Sequence, residues 1–344
     1  DFESGASTSS AILPYCFSQY YFVFNIKFTS LFEKFELFFL CYYIGLVKFM
    51  SKKISKHIFL ITSYPKSGNT LLRIIISSLF FTRDGKTNLK KILVDQLEDV
   101  RKLMIIKRIN SNDFLNLDNL NILYKYHLII KEKQNLGLNE DFSFFKTHHA
   151  LINSRNYKYI TNEFLRGYIY LIRDPRDIVV SWANHVNTSI EKSIELILNP
   201  NGCITWSNGK DSNFPENIEP KILISNWQNH VLSWTNNKLD VPKMIIKYED
   251  LISKKEIIIL NIVNFFKKNY GIKVLNLDEK IKNIIETTNF DYLKKIEDND
   301  GFGERVGGSF FNKGTSNQWK NKLTNEQIKK IEKHFFHTIK KYSY

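Results

Sequence analysis

The chain has 344 residues, of which 43% are hydrophobic and 14% aromatic, enough for one large globular core. Its formal net charge is +14, but the lysines are spread along the sequence without a basic cluster interleaved with aromatic residues, which argues against nucleic-acid binding. A positive field that attracts an anionic ligand is the simpler explanation. Of the three cysteines only one follows Met50, and none has zinc-ligand spacing, so we expect a metal-free protein in a reducing compartment, the cytoplasm.

Residues 1–49 are rich in Phe, Tyr and Ser and differ from the rest of the chain. Met50 is followed by Ser-Lys-Lys, a natural start for a soluble protein, so we divide the chain into a leader, 1–49, and a domain, 50–344. The uncharged stretch 37–47 is shorter than the ~20 residues that span a bilayer, and the stretch 11–26 is interrupted by Pro14 and polar side chains. Three interpretations of the leader stay open: a membrane anchor, an aromatic arm packed on the domain or a membrane surface, and a disordered or non-native segment.

After Met50, short apolar runs alternate with segments of helical apolar spacing. This alternation predicts an α/β fold of three layers, in which helices cover both faces of a mostly parallel sheet. The predicted strands are 57–63, 142–147, 168–173 and 244–248. The predicted helices are 70–81, 176–186, 221–235, 256–268, 278–288 and 325–340. Residues 84–140 and 188–220 are expected to be insertions that cover a substrate.

The first motif, Tyr-Pro-Lys-Ser-Gly-Asn-Thr at 64–70, joins the first predicted strand to the first predicted helix. Such a turn builds an anion-binding cradle, because the first N–H groups of a helix have no internal partner. Lys66 adds a positive charge, while Ser67, Asn69 and Thr70 add short hydrogen-bonding groups. The order Lys-Ser-Gly differs from the usual nucleotide-triphosphatase loop, so we expect a phosphate-like ligand without the usual magnesium ligand. On this motif alone, a plain turn with a solvated lysine is an equal alternative.

The second motif, Arg-Asp-Pro-Arg-Asp-Ile-Val-Val-Ser at 173–181, follows another apolar run. Pro175 suits the first turn of a helix and Asp174 suits its N-cap. With that cap, Arg173 ends a strand and Ser181 lies on the next helix, so that a guanidinium and a hydroxyl converge on a second phosphate.

Three candidate side chains follow predicted strands: Lys66, His148 and Arg173. Ligands of parallel α/β sheets bind beyond the carboxyl ends of the strands, so we expect these side chains to meet at one edge of the sheet.

Five collinear segments resemble the sulfotransferase family that uses 3′-phosphoadenosine 5′-phosphosulfate (PAPS). They are the first motif at 64–71, Lys-Thr-His at 146–148, the Arg and Ser of 173–181, Tyr-Glu-Asp-Leu at 248–251, and Asn-Lys-Gly with Asn-Gln-Trp-Lys at 312–320. The resemblance covers about residues 57–340. It implies a P-loop-like fold and transfer of a sulfuryl group, without a metal, to a hydroxyl or amine of a small-molecule or glycan acceptor. Membrane contact could come only through the leader, and the acceptor itself is not predicted.

Two other classes compete with this interpretation. Another P-loop transferase, such as a kinase, should carry the Walker-type Gly-x-x-x-x-Gly-Lys-Ser/Thr motif, which is absent from the sequence. A non-catalytic nucleotide-binding protein should have lost its base, whereas Lys-Thr-His is intact.

The resemblance also assigns roles. His148 is the expected base, in preference to His149, which we expect to face solvent. Lys66 is expected at the bridging oxygen of the leaving group, and Lys146 is expected either to assist it or to lie at the surface. The 5′-phosphate is assigned to the cradle and the 3′-phosphate to Arg173, Ser181 and Lys313, while Tyr248 is expected to contact either the adenine or the 3′ side of the nucleotide. The expected nucleotide-binding residues are Lys66, Ser67, Gly68, Asn69, Thr70, Leu71, Arg173, Ser181, Tyr248, Thr288, Asn289, Phe290, Asn312, Lys313 and Gly314.

Three positions depart from the family pattern. Leu71 stands where a tryptophan packs on the adenine, Asn312 replaces an arginine expected at the 3′-phosphate, and Asn69 replaces a threonine. We therefore expect a weaker or differently held nucleotide.

Overall fold

The computed structural model describes residues 58–87, 89, 92, 94–96, 143–151, 153–154, 157–158, 160, 162, 165–205 and 221–344. All of them belong to the unit Ile54–Tyr344. The leader 1–49 and most of the insertion 84–140 lie outside the described residues, so their interpretations stay predictions. In the described part of the chain, no helix has the length and apolarity needed to cross a membrane.

The elements alternate as the sequence predicts. Up to residue 205 they are β1 (Ile58–Ser63), α1 (Asn69–Phe81), β2 (Asp95–Gln96), β3 (Ser143–Thr147), β4 (Asn153–Ser154), β5 (Tyr157–Lys158), β6 (Leu165–Ile172), α2 (Pro175–Val186), α3 (Ile190–Leu198) and β7 (Cys203–Thr205). From residue 221 they are β8 (Lys221–Leu223), α4 (Trp227–Thr235), β9 (Lys243–Lys247), α5 (Tyr248–Ser253), α6 (Lys255–Tyr270), α7 (Leu277–Thr287), α8 (Phe290–Asp300), a 3₁₀ turn (Gln318–Asn321) and α9 (Asn325–Lys341).

Five of these strands form one sheet in the order β2-β3-β1-β6-β9, and every neighbouring pair is parallel. Successive side chains of β6 point to opposite faces of this sheet. Ile169 packs in the same buried cluster as residues of α1 and α6, whereas the Tyr168 ring meets Trp234 of α4, with 5.2 Å between ring centroids. Helices thus cover both faces, which confirms the predicted three-layer α/β fold.

The four predicted strands are confirmed to within three residues at each end. The predicted helix at 221–235 was wrong at its start, because 221–223 form β8, an antiparallel partner of β7. Asn226 then caps α4 by accepting a hydrogen bond from the Asn229 amide at 2.7 Å. Helix α3 lies inside the segment 188–220, which was predicted to be an insertion. Its residues Ile190, Ile194 and Ile197 have the spacing of a helix face, so the sequence carried a signal for this helix that the prediction did not use.

The predicted start of α2 is confirmed in detail. The Asp174 side chain accepts a hydrogen bond from the Arg176 amide at 2.9 Å, and Pro175 occupies the first helical position. Strand β6 therefore ends at Ile172, and Arg173 follows it directly at the carboxyl edge of the sheet.

Candidate functional site

A cavity of about 880 Å³ opens at the carboxyl ends of β1, β3 and β6. This volume is within the usual range of ligand pockets. Every sequence-predicted site residue lines the cavity except Ser67, which is fully buried next to it in the chain. The predicted residues that line it are Lys66, Gly68, Asn69, Thr70, Leu71, Lys146, His148, Arg173, Ser181, Tyr248, Thr288, Asn289, Phe290, Asn312, Lys313 and Gly314.

The turn between β1 and α1 has the geometry of an anion cradle. Gly68 is the N-cap of α1, with φ of 92°, and no side chain caps the first turn of that helix. A Cβ at Gly68 would lie 2.5 Å from Cδ2 of Tyr248, so only glycine fits. The Asn69 amide group donates to the carbonyl of Ile61 at 3.3 Å, which ties the turn to β1. The Ser67 hydroxyl is buried behind the cavity lining without a hydrogen-bond partner among the described residues.

Lys66 directs its ammonium group into the cavity, where Nζ lies 4.2 Å from the centroid of the Phe310 ring. Burial, together with the nearby Arg173 guanidinium, lowers the pKa of Lys66 to about 7. A bound anion would reverse both effects in part, since a negative charge favours the protonated amine.

Arg173 connects the cradle to the rest of the site. Its Nη1 donates to the Lys66 carbonyl at 2.8 Å, and its guanidinium lies 4.2 Å from the centroid of the Tyr248 ring. Its Nη2 donates to the Thr315 carbonyl at 3.4 Å, while the buried Nε has no hydrogen-bond partner in the described part of the chain. One donor of an otherwise fixed guanidinium is thus left over among the described residues.

The last segment of the family pattern, 312–320, is held in place by Asp177. Its carboxylate accepts hydrogen bonds from the Asn317 amide at 2.7 Å and the Trp319 amide at 3.1 Å. The Trp319 ring stacks on the Arg176 guanidinium at 3.9 Å and does not line the cavity. Trp319 is therefore a packing residue.

The segments 288–290 and 312–314 lie against each other at the cavity. A Cβ at Gly314, whose φ is 63°, would lie 2.2 Å from Cδ2 of Phe290, so this close approach requires glycine. Asn312 and Lys313 are exposed at the rim. Lys255, which the sequence did not single out, donates to the Thr288 carbonyl at 2.8 Å and lines the cavity.

His148 follows β3 and has a defined tautomer. Its Nδ1 lies 2.8 Å from the Ser63 carbonyl, which can only accept, so Nδ1 carries the proton and Nε2 keeps its lone pair. Burial and the charge of Lys146 lower the pKa of His148 to about 3. The imidazole is therefore neutral at physiological pH, the state that a proton acceptor requires.

The two other histidines near this strand are structural. His149 was expected to face solvent, but it is buried, and its Nδ1 accepts a hydrogen bond from the Leu223 amide at 3.2 Å. His230, also buried, donates from Nε2 to the His148 carbonyl at 3.1 Å and pairs through Nδ1 with the Tyr170 hydroxyl at 2.9 Å. Neither lines the cavity, and His230 supports the backbone that carries His148.

Sequence reasoning missed a carboxylate within the site. Glu304 lines the cavity and accepts hydrogen bonds from the Thr70 hydroxyl at 3.0 Å, from Arg73 Nη1 at 2.6 Å and from Lys146 Nζ at 2.7 Å. His185 also lines the cavity, with its ring 5.7 Å from that of Phe310. No local pattern marks either residue.

Comparisons with known proteins agree with this geometry. The model of the sulfotransferase domain family matches residues 56–343, and the chain belongs to this family. Rabbit (Oryctolagus cuniculus) amine sulfotransferase is 23% identical over 180 residues, 50% of this chain and 54% of that protein. Mouse (Mus musculus) sulfotransferase 2A1 is 27% identical over 176 residues, 48% of this chain and 54% of that protein. The chain thus spans about half the length of the curated relatives it matches.

Two solved structures are similar in fold. Mouse sulfotransferase SULT7A1 complexed with PAP has a TM-score of 0.50 and 20% identity, covering 83% of this chain and 84% of that one. Retinol dehydratase in a complex with retinol and PAP has a TM-score of 0.50 and 19% identity, and the match covers 83% of this chain and 82% of that one. At these identities the likeness establishes the fold alone.

Proposed function

We propose that this chain is an enzyme that transfers a sulfuryl group from PAPS to a hydroxyl or amine of a small-molecule acceptor. One observation supports this above all: a single cavity contains both the neutral imidazole of His148 and the cations Lys66, Lys146 and Arg173 around a glycine-capped helix start. Membership of the sulfotransferase family supports the same reaction class.

The residues present fit an anionic nucleotide with two phosphate groups. The Thr70 side chain, in the first turn of α1, already binds one anion, the Glu304 carboxylate. At the second position, Arg173 has a buried Nε without a partner among the described residues, and Ser181 and Lys313 line the same cavity. We assign the 5′ end of the nucleotide to the cradle and the 3′-phosphate to Arg173, Ser181 and Lys313.

Bound PAPS would supply the sulfuryl group for transfer. His148 takes the proton of the acceptor at Nε2 while the acceptor oxygen or nitrogen bonds to sulfur. The bond from sulfur to the bridging oxygen breaks, and its electron pair leaves with adenosine 3′,5′-bisphosphate, as in related phosphoryl transfers. Lys66 and Lys146 stabilise the negative charge that develops on this leaving group. The imidazolium then returns its proton to solvent.

The acceptor is proposed to be a small apolar alcohol or amine. A fold neighbour crystallised with retinol supports this size class, and Trp182, Val186, Leu196 and Ile204 add apolar surface to the cavity. We propose a cytoplasmic location, where PAPS is the expected donor and the half-buried, free Cys203 stays reduced.

The 3′-phosphate site makes a direct prediction. The protein should bind adenosine 3′,5′-bisphosphate more tightly than AMP, and Arg173→Ala should shrink the difference by about 10- to 150-fold, since a hydrogen bond to a charged group is worth ~1.5–3 kcal/mol. Isothermal titration calorimetry with both nucleotides measures these affinities.

Arg166→Ala is the matched control, because Arg166 lies near the start of β6 and does not line the cavity, whereas Arg173 directly follows the end of that strand. It should leave the preference for the bisphosphate unchanged. Equal affinity of the unmutated protein for both nucleotides would rule out a 3′-phosphate site.

We also propose that the working domain is 50–344 and that the leader is dispensable for chemistry. The family match begins at residue 56 and β1 begins at Ile58. A protein that starts at Met50 should keep the melting temperature and bisphosphate affinity of the full chain. A large loss of either would make the leader part of the fold, and liposome co-sedimentation of both proteins tests whether it contacts membranes.

A further inference from the structure

Glu304 places a carboxylate inside the cavity, on the segment 301–308 that follows α8. Its Oε2 accepts the hydrogen bond from Thr70, which belongs to the first turn of α1. Its Oε1 is shared by Arg73 Nη1 and Lys146 Nζ. The carboxylate is therefore held by side chains beside the cradle, within reach of the Thr70 hydroxyl that we assign to an external anion.

The contacts of Glu304 are those of a tightly held anion. Burial alone would raise its pKa, but Lys146 and Arg73 outweigh burial and hold the pKa well below the usual range of a carboxyl. The group is therefore negatively charged at any pH at which the protein works. A hydroxyl and two cations around two oxygens are also the donors that a phosphate or sulfate group selects.

The segment that carries Glu304 is attached at both ends. The Glu297 carboxylate, on α8, accepts hydrogen bonds from the amides of Phe310 at 2.6 Å and Phe311 at 2.9 Å. Between these attachments, a Cβ at Gly301 or Gly303 would meet no atom within 4 Å. Glycines at 301 and 303 allow the backbone that leads to Glu304 to rotate. Movement of the whole segment must also break the hydrogen bond that the Gly307 amide donates to the His185 carbonyl at 3.1 Å.

We propose that Glu304 is an internal anion that fills the phosphosulfate subsite of the nucleotide-free protein and is displaced when the nucleotide binds, an inference that rests on the proposed function. Displacement frees the donors of Thr70, Arg73 and Lys146 for oxygens of the nucleotide. Contacts with the nucleotide thus replace the contacts with Glu304. Arg73 thereby becomes a further nucleotide-binding cation, and segment 301–308 moves away from the cradle. Between turnovers Glu304 keeps the two buried cations paired.

The test is Glu304→Gln, which removes the charge and keeps the size of the side chain. The variant should bind adenosine 3′,5′-bisphosphate roughly tenfold or more tightly than the unmutated protein, and inorganic sulfate more tightly as well, because the competing anion is gone. Without ligand its melting temperature should fall, since Arg73 and Lys146 lose a charged partner. A purely structural role would lower stability without this gain in affinity.

Asp298→Asn is the matched control. It removes one acid from the last turn of α8, where the Asp298 side chain is exposed and does not line the cavity. This variant should keep the unmutated affinity for both ligands.

Hydrogen exchange of the unmutated protein gives a second measurement that does not depend on a variant. Bisphosphate should accelerate exchange of the 301–308 amides as the segment leaves the cradle. Two results would overturn the inference in a protein that does bind the bisphosphate. One is slower exchange of these amides, and the other is a bisphosphate affinity of Glu304→Gln that is equal to or weaker than that of the unmutated protein. If neither protein binds it, the proposed function fails and this inference fails with it.

Discussion

Replacing His148 with alanine is expected to reduce sulfuryl transfer by about 10²- to 10⁴-fold, the usual contribution of a positioned general base. The Nδ1 proton is held by the Ser63 carbonyl, so Nε2 is the atom that takes the acceptor's proton. Nucleotide affinity should change little, because no assigned phosphate contact involves His148. Initial rates with a phenol or alcohol acceptor and calorimetric titration with adenosine 3′,5′-bisphosphate separate these two effects.

His337→Ala is a suitable control, since His337 is exposed on α9 and outside the cavity. The pH profile adds an independent check. Because the pKa of His148 is lowered, its imidazole stays neutral as the pH falls. Between pH 7 and pH 5, kcat/KM should therefore lack the decrease that protonation of an ordinary histidine, with a pKa near 6.5, would cause. Near-normal turnover of His148→Ala at neutral pH would show that another group is the base.

Lys66→Ala is expected to lower turnover by about 10²- to 10³-fold, comparable to the loss of one donor from an oxyanion hole. The substitution should also change the number of protons that the protein takes up when adenosine 3′,5′-bisphosphate binds. With a pKa of about 7, Lys66 is mostly neutral at pH 8, and bound bisphosphate raises that pKa, so the unmutated protein should take up about one proton. Calorimetry in buffers of different ionisation enthalpy measures this uptake, which Lys66→Ala should lose.

Lys295→Ala, which removes an exposed lysine from α8 outside the cavity, should change neither quantity. Proton uptake that persists in Lys66→Ala would assign the titrating group elsewhere. Unchanged turnover would exclude Lys66 from stabilising the leaving group.

The sheet and the main turns could be predicted because their signals are local. Apolar runs mark the strands, and Asp174 with Pro175 marks the start of α2 without reference to any distant residue. Parallel pairing then brings Lys66, His148 and Arg173 to one edge, as expected from the ends of their strands.

The sequence did not predict every residue of the site, because some residues reach it only through tertiary contacts. Glu304 lies 231 residues from its partner Arg73, and its neighbours in sequence indicate only a loop. Arg73 was the usable clue, since an arginine between Leu72 and Ile74 on an apolar helix implies a buried partner. His149 was misjudged for a related reason: β8, which the sequence assigned to a helix, covers it.

The position of β1 at the centre of the sheet has a consequence for folding. The strand that leads into the cradle is the first of the sheet in the chain, yet its partners β3 and β6 come much later. Contacts between residues so far apart in sequence form slowly, because the entropy cost of closing a large loop comes before the contacts can stabilise the chain. Binding of adenosine 3′,5′-bisphosphate should consequently appear only at the end of refolding, and the isolated segment 58–87 should have no affinity for it.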